Sequence, residues 1–227
     1  MSNFKHPLLF LMIATVISPY ASAQAGSLKF SLDDFPDLDW SGTYLGANAG
    51  YLSSFKGTGS ISAVVNGDIN PNARGFTGGA YAGYNIQSGN FVYGPEIDAS
   101  LSSASGQKGA SSNEDSISFK LKELNAFSLR GRFGYLFNDT LVYAATGLSN
   151  AGISYVETIK LGSSATKTST QKRHFGLTFG LGLDYALTPS VIARTEYRYT
   201  AYEQKSYPDY KIGADSHEFR AGLAYKF

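Results

Sequence analysis

The stretch Arg173-His174-Phe175-Gly176-Leu177-Thr178-Phe179-Gly180-Leu181-Gly182-Leu183-Asp184-Tyr185-Ala186-Leu187 decides the fold. Phe175, Leu177, Phe179, Leu181, Leu183, Tyr185 and Leu187 take every second place. His174, Gly176, Thr178, Gly180, Gly182, Asp184 and Ala186 lie between them. A helix would scatter both sets around its circumference, whereas a strand sends them to opposite faces. One face is therefore large and apolar, and the other is small or polar.

The same period of two runs outward from this strand in both directions. At the C-terminus His217, Phe219, Ala221, Leu223, Tyr225 and Phe227 alternate with Glu218, Arg220, Gly222, Ala224 and Lys226. Upstream of that, Tyr197 and Tyr199 alternate with Arg194, Glu196 and Arg198; Phe91, Tyr93 and Ile97 with Glu96 and Asp98; and Phe127, Leu129 and Phe133 with Arg130 and Arg132. Leu45, Ala47 and Tyr51 oppose Tyr44, Gly46 and Asn48, and Phe76, Ala80 and Tyr84 oppose Thr77, Tyr81 and Asn85. In the remaining strand Leu141, Tyr143, Ala145, Ala151 and Ile153 share the apolar parity, with Thr146 and Ser154 opposite. That makes eight strands, an even number. Charges fall on the face away from the large apolar groups, which fits lipid outside and a polar interior. The pattern predicts an all-β fold: an eight-stranded antiparallel transmembrane β-barrel with short periplasmic turns and long extracellular loops.

Two places strain this scheme. Strict parity backward from Phe127 puts Glu123 and Asn125 against lipid, so the span of that strand is expected to start near Asn125. Ile117, Phe119 and Leu121 then extend above the bilayer or follow a bulge. Pro95 removes a ladder donor inside a strand. Ten strands is the alternative count.

The connections alternate as well. Residues 87–90, 138–140 and 188–190 are short turns, whereas 54–74, 102–116, 156–172 and 201–216 read as long polar loops. Phe91, Tyr93, Tyr84, Phe133, Tyr135, Phe137, Tyr143, Tyr185, Tyr225 and Phe227 cluster near the short-turn side, as an interfacial aromatic girdle does.

The chain has 227 residues, 19 Lys+Arg, 18 Asp+Glu and no Cys. Zero Cys excludes disulfide scaffolds, Cys-ligated metals and thiol nucleophiles. A net charge of +1 argues against nucleic acid as a partner. Residues 1–23 read as a signal peptide. Lys5 and His6 precede the apolar run Leu8–Ile17, and Ala21-Ser22-Ala23 supplies small residues for cleavage, with a second option after Ala25. The run is far shorter than the ~20 residues a membrane-spanning helix needs. Residues 24–40 form a short acidic periplasmic leader, expected at the barrel mouth, and 41–227 the barrel. Export follows the general secretory pathway, with periplasmic chaperones as partners on the way to the cell outer membrane.

The inward parity collects Glu96, Asp98, Arg130, Arg132, Asp184, Arg194, Glu196, Arg198, Glu218 and Arg220, together with Lys226. An eight-stranded barrel is just wide enough for side chains to fill. Buried charges must be paired there. The expected arrangement is a plug of ion pairs; the alternative is a narrow charged pathway for small solutes. Ser216-His217-Glu218 cannot act as a triad, because consecutive strand residues face opposite ways. No enzyme is expected.

With these residues in place a family resemblance emerges. Asp39-Trp40-Ser41-Gly42-Thr43-Tyr44-Leu45-Gly46-Ala47-Asn48-Ala49-Gly50-Tyr51 resembles the opening W-[ST]-G-x-Y-x-G-x-x-x-G-Y of small outer-membrane proteins of alphaproteobacteria. These include the outer-membrane immunogenic proteins and related OmpA-like or opacity-like barrels of the porin family. Gly79–Tyr84, Ser128–Tyr135 and the chain end also match, so the resemblance covers nearly all of the mature chain. Arg220, Gly222, Tyr225 and Phe227 resemble the C-terminal signal read by the barrel-insertion machinery. The resemblance implies a surface protein embedded in outer-membrane lipid and lipopolysaccharide. It implies a structural and antigenic role, and adhesion to a host surface ligand through the loops. Some members bind haemin, which makes haem the one cofactor to weigh. With no Cys or Met in the mature chain, its ligands would be His or Tyr. His174 and His217 are the candidates, with Tyr202, Tyr207 and Tyr210 nearby.

Overall fold

The structure is a computed structural model that describes residues 38–59, 72–112, 115–161, 164–206 and 211–227. The expected signal peptide, most of the expected leader, residues 60–71, Tyr207 and Tyr210 lie outside the described residues.

The alternating segments become strands β1 (Gly42–Gly59), β2 (Asn72–Ser88), β3 (Phe91–Ser102), β4 (Ser105–Ser112), β5 (Asp115–Phe137), β6 (Thr140–Leu161), β7 (Ser164–Ala186), β8 (Val191–Ser206) and β9 (Lys211–Lys226). All pair antiparallel. β1, β9, β8, β7, β6, β5, β3 and β2 follow one another around a ring that closes through β1–β2. Closure removes the unpaired edges that lipid cannot hydrate. β4 stands outside the ring count. It pairs along the outer half of β5 and joins the β2 ladder at Arg74↔Ser105.

The short turns have the expected chemistry. Gly89 and Asn138 take positive φ, 58° and 52°, where Gly and Asn are least strained. In the third turn the Thr188 hydroxyl accepts from the N–H groups of Ser190 and Val191, at 3.3 and 3.0 Å. Pro95 interrupts the β2–β3 ladder between Gly83↔Glu96 and Ile86↔Tyr93. Beside it, Gly94 lets the Tyr84 carbonyl approach so closely that a Cβ would meet it at 1.8 Å.

Three expectations need correction. The connections read as long loops are largely strand: β6 continues to Leu161, β7 starts at Ser164, and β4 occupies most of 102–116. Their Ser, Thr and Lys content marks them as polar, and polarity on both faces is what a ribbon standing in water carries. The second, in β5, decides between the two alternatives, a strand rising above the bilayer and a bulge, in favour of the bulge. A register shift between Glu123 and Asn125 marks a bulge at Leu124. The bulge flips the parity, so Glu123 and Leu121 are buried in the lumen instead of lying on the lipid side.

The third correction is in β6. Tyr143 belongs to the interior and not to the girdle, as do Leu141, Ala145, Ala151 and Ile153; Val142 and Leu148 face outward. The cause lies in the neighbours. Tyr143 pairs with Gly134 on β5 and Gly182 on β7, both inward. A Cβ on Gly182 would meet the Tyr143 ring at 2.4 Å, so the two glycines make the space this ring fills.

Elsewhere the parity holds. The outward face of β7 carries Phe175 to Leu187, with Leu181 65% exposed. Near the short turns Phe91 stacks on Phe133 at 5.5 Å, and Tyr225 meets Phe227 at 5.1 Å. Leu181 sits near mid-height of this band. Leu181→Arg is expected to destabilise the barrel by about 2–4 kcal/mol, the midplane cost of a lipid-facing cation. Urea unfolding of the protein refolded into vesicles measures it, and an unchanged midpoint would put that face in water.

Candidate functional site

Eight strands leave a lumen just wide enough for side chains to fill. Here it is filled in three tiers. At the short-turn end Trp40, Tyr44, Tyr81, Val92, Leu141, Tyr143 and Ile192 form an apolar cluster, with Leu38 packed against it. At the long-hairpin end Leu52, Ala73, Ala104, Leu121, Ile153 and Tyr202 form a second. Between them lie the charges.

The ten inward charges form one connected network. Arg194 grips Asp184 with two parallel bonds, Nε to Oδ1 at 2.7 Å and Nη2 to Oδ2 at 2.8 Å. Its third nitrogen reaches Glu96 at 2.5 Å. Arg132 donates to Asp184 at 2.7 Å and stands 3.4 Å from Glu96. Arg130 donates to Glu96 and, at 2.9 Å, to Glu196. Arg198 joins Glu196 at 3.0 Å to Asp98 at 2.9 Å. Arg220 donates to the same Asp98 oxygen at 3.1 Å and pairs with Glu218 at 2.8 Å. The chain of contacts thus climbs the lumen from Asp184 to Glu218. All ten residues are at most 7% exposed.

Hydroxyls complete it. The Tyr44 hydroxyl accepts from Arg132 at 2.7 Å and donates to Glu96 at 2.8 Å. Tyr143 donates to Glu196 at 2.9 Å. Ser128 donates to Asp98, and Thr77 to Glu218. The guanidinium planes lie over rings, with Arg132 4.0 Å above Tyr143 and Arg194 4.3 Å above Tyr81. Every ring strand contributes a partner. Charge-assisted pairing with the remaining lone pairs satisfied is the condition under which buried ions are tolerated. A cavity of about 10 Å³ lies beside Tyr81, Arg194 and Arg198, at the lower limit for one water molecule.

Parity alone reveals all five arginines and five of the carboxylates. It misses Glu123, which the bulge turns inward, and Tyr143, whose signal is the glycine on each neighbouring strand. That signal is readable only once register is known.

The other expected sites separate. His174 is fully buried inside, whereas His217 faces outward and shares a 2.7 Å hydrogen bond with the Tyr197 hydroxyl. The barrel wall lies between them, so the two do not converge on one ligand. In the C-terminal signal Arg220 works inside the lumen, and Tyr225 and Phe227 are exposed on the outer face.

The end of the leader is fastened under the barrel. Trp40 is 1% exposed, and its backbone N–H donates to Gln87 Oε1 at 2.6 Å. Lys226 donates to the Asp39 carbonyl. The Ser41 N–H, 2.8 Å from the Asp39 carboxylate, holds that group below its ordinary pKa.

A closed ring, a lipid-facing apolar band and a polar interior define an integral outer-membrane barrel. The chain belongs to the outer membrane protein beta-barrel domain family, whose model matches residues 9–227. It is 33% identical over 218 residues to a 25 kDa outer-membrane immunogenic protein of Brucella melitensis, covering 94% of this chain and 92% of the relative. It is 31% identical over 239 residues to a 31 kDa outer-membrane immunogenic protein of the same organism, covering 96% and 99%. Among solved structures it resembles the outer membrane protein OprG of Pseudomonas aeruginosa in fold. The TM-score is 0.51 at 13% identity, over 82% of this chain and 96% of that one.

Glu96 touches three arginines and Tyr44. Glu96→Gln is expected to cost about 3–5 kcal/mol, because it leaves buried positive charge uncompensated. Tyr143→Phe is expected to cost about 1–3 kcal/mol through the unsatisfied Glu196 oxygen. Equilibrium unfolding in detergent reads both. A Tyr143→Phe variant as stable as the parent would return that side chain to the lipid face.

Proposed function

We propose that this protein is a sealed barrel whose work is done at the cell surface. It is a structural and antigenic component of the outer membrane, with adhesion to a host surface ligand through its outer hairpins. What supports this reading is the filled lumen: a network in which all five arginines pair with carboxylates, although the Nε atoms of Arg132 and Arg220 and one Glu123 oxygen have no hydrogen-bond partner, lies between two apolar clusters. The polar ribbons β4–β5 and β6–β7 extend the wall beyond the apolar band, where antibodies and host surfaces meet it. The names of the Brucella relatives, immunogenic outer-membrane proteins, support the antigenic part. The reading includes no catalysis and no bound cofactor. It includes export through the secretory pathway with cleavage after Ala23, escort by periplasmic chaperones, and recognition of the Tyr225 and Phe227 end by the insertion machinery.

A conductance measurement comes first. The mature chain, shown to be folded by its gel shift on heating, is expected to give no steps in a planar bilayer. Reproducible steps altered by Arg194→Glu would overturn the sealed reading in favour of a small-solute porin. The surface role is tested separately by replacing residues 156–170 with a tight turn. Antibody recognition of intact cells and attachment to host cells are expected to fall while the gel shift persists. Unchanged recognition and attachment would remove this ribbon from the functional surface.

A further inference from the structure

The outward face of β5–β7 changes character sharply where it leaves the apolar band. The band ends at Phe127 and Phe175, both of which pair with Asn150 on β6. One row higher Asn125, Gly152 and Arg173 are aligned, and above the bulge come Lys122, Ser154 and Gln171. The next two rows bring Lys120 with Val156 and Ser169, then Ser118 with Thr158 and Lys167. Residues opposite one another in an antiparallel ladder share a face. The bulge at Leu124 is what places Lys120 and Lys122 outward while Glu123 turns in. Lys160, two residues beyond Thr158 on β6, is also on this face.

This face therefore carries five cations: Arg173, Lys122, Lys120, Lys167 and Lys160. Among the described side chains it carries no carboxylate. Arg173, Lys160 and Lys167 are exposed, and Arg173 donates to the Asn150 side-chain Oδ1 at 2.6 Å. The neighbouring β8–β9 sector is mixed in sign: Glu203 and Asp215 are exposed there, and Lys56 on β1 pairs with Asp215 in the ladder. Strand spacings of about 4.8 Å and two-residue steps of about 7 Å put neighbouring cations about 7–12 Å apart. That spacing suits a headgroup with two separated phosphates better than one chelated phosphate.

We infer that the outward face of β5–β7 is a docking site for the phosphorylated headgroup of an outer-leaflet glycolipid. Apolar side chains Phe127, Leu129, Leu148, Phe175 and Leu177 lie directly below the cations on the same strands. The one surface thus offers an acyl-chain contact and, above it, an anion contact, in the order an anionic amphiphile standing in the leaflet presents them. Charge complementarity selects this sector of the rim, whose described outward side chains include no carboxylate, over the neighbouring β8–β9 sector, where Glu203 and Asp215 are exposed.

Native mass spectrometry of the refolded barrel in neutral micelles tests the assignment, with bisphosphorylated lipid A as the probe. The parent is expected to retain lipid A in a salt-sensitive manner. The variant Lys120→Gln/Lys122→Gln/Lys167→Gln/Arg173→Gln is expected to bind about tenfold or more weakly, since each cation near an anionic surface contributes about 1 kcal/mol. Glu203→Gln/Asp215→Asn is expected to bind as the parent does. The gel shift on heating verifies that each variant is folded. Equal retention of dephosphorylated lipid A, or full retention by the quadruple variant, would overturn the site. So would binding of a soluble sulfated polysaccharide in place of the lipid, which would make the face a host contact.

Discussion

Five arginines enclosed in a lumen filled by side chains set the terms for every strand of this barrel. A guanidinium cannot shed its charge, so each one needs carboxylates within hydrogen-bonding reach. Five of the buried carboxylates, on β3, β7, β8 and β9, meet that need, and hydroxyls from β1, β2, β5 and β6 take up the remaining lone pairs. Because side chains on a strand change faces with every residue, a slip of one position in any pair would send a charge into lipid. Neutralising the lumen and fixing the register are thus one requirement.

The wall inverts the usual order of a soluble protein. Outside, Leu and Phe are solvated by acyl chains, so burying them against one another gains little. Inside, polar side chains interlock and exclude water. The apolar clusters at both ends have a second effect. They keep the network in a low dielectric, where each contact is stronger and each missing partner costlier.

How much of this could be read from the chain depends on how different the two faces of a strand are. In β7, β8 and β9 one face is large and apolar and the other small or charged, and the parity is unambiguous. In β6, Leu141, Val142, Tyr143, Ala144 and Ala145 are apolar in succession, so alternation carries no information there. Only the glycines paired with Tyr143 decide its direction, and pairing is not a property of one strand. The β5 bulge was legible as a conflict between Phe127 and Glu123, but not in which of them would yield. The ten lumen charges were legible as a set. Their connections were not, since Arg130 reaching both Glu96 and Glu196 depends on side-chain length across the barrel. The outer ribbons were misread because a two-sided polar strand has the composition of a loop.

The network also joins parts of the chain that are far apart in sequence. Glu96 and Arg194 are separated by 98 residues, Asp98 and Arg220 by 122, and Thr77 and Glu218 by 141. Contacts of such high sequence separation form late, because the loop-closure entropy precedes any gain. β3 and β5 are near neighbours in sequence, but Arg130 also needs Glu196 of β8 and Arg132 needs Asp184 of β7. A sheet without β7 and β8 would leave those charges short of partners, which is costly in hydrocarbon. The wiring of the lumen therefore couples closure of the ring to neutralisation of its interior.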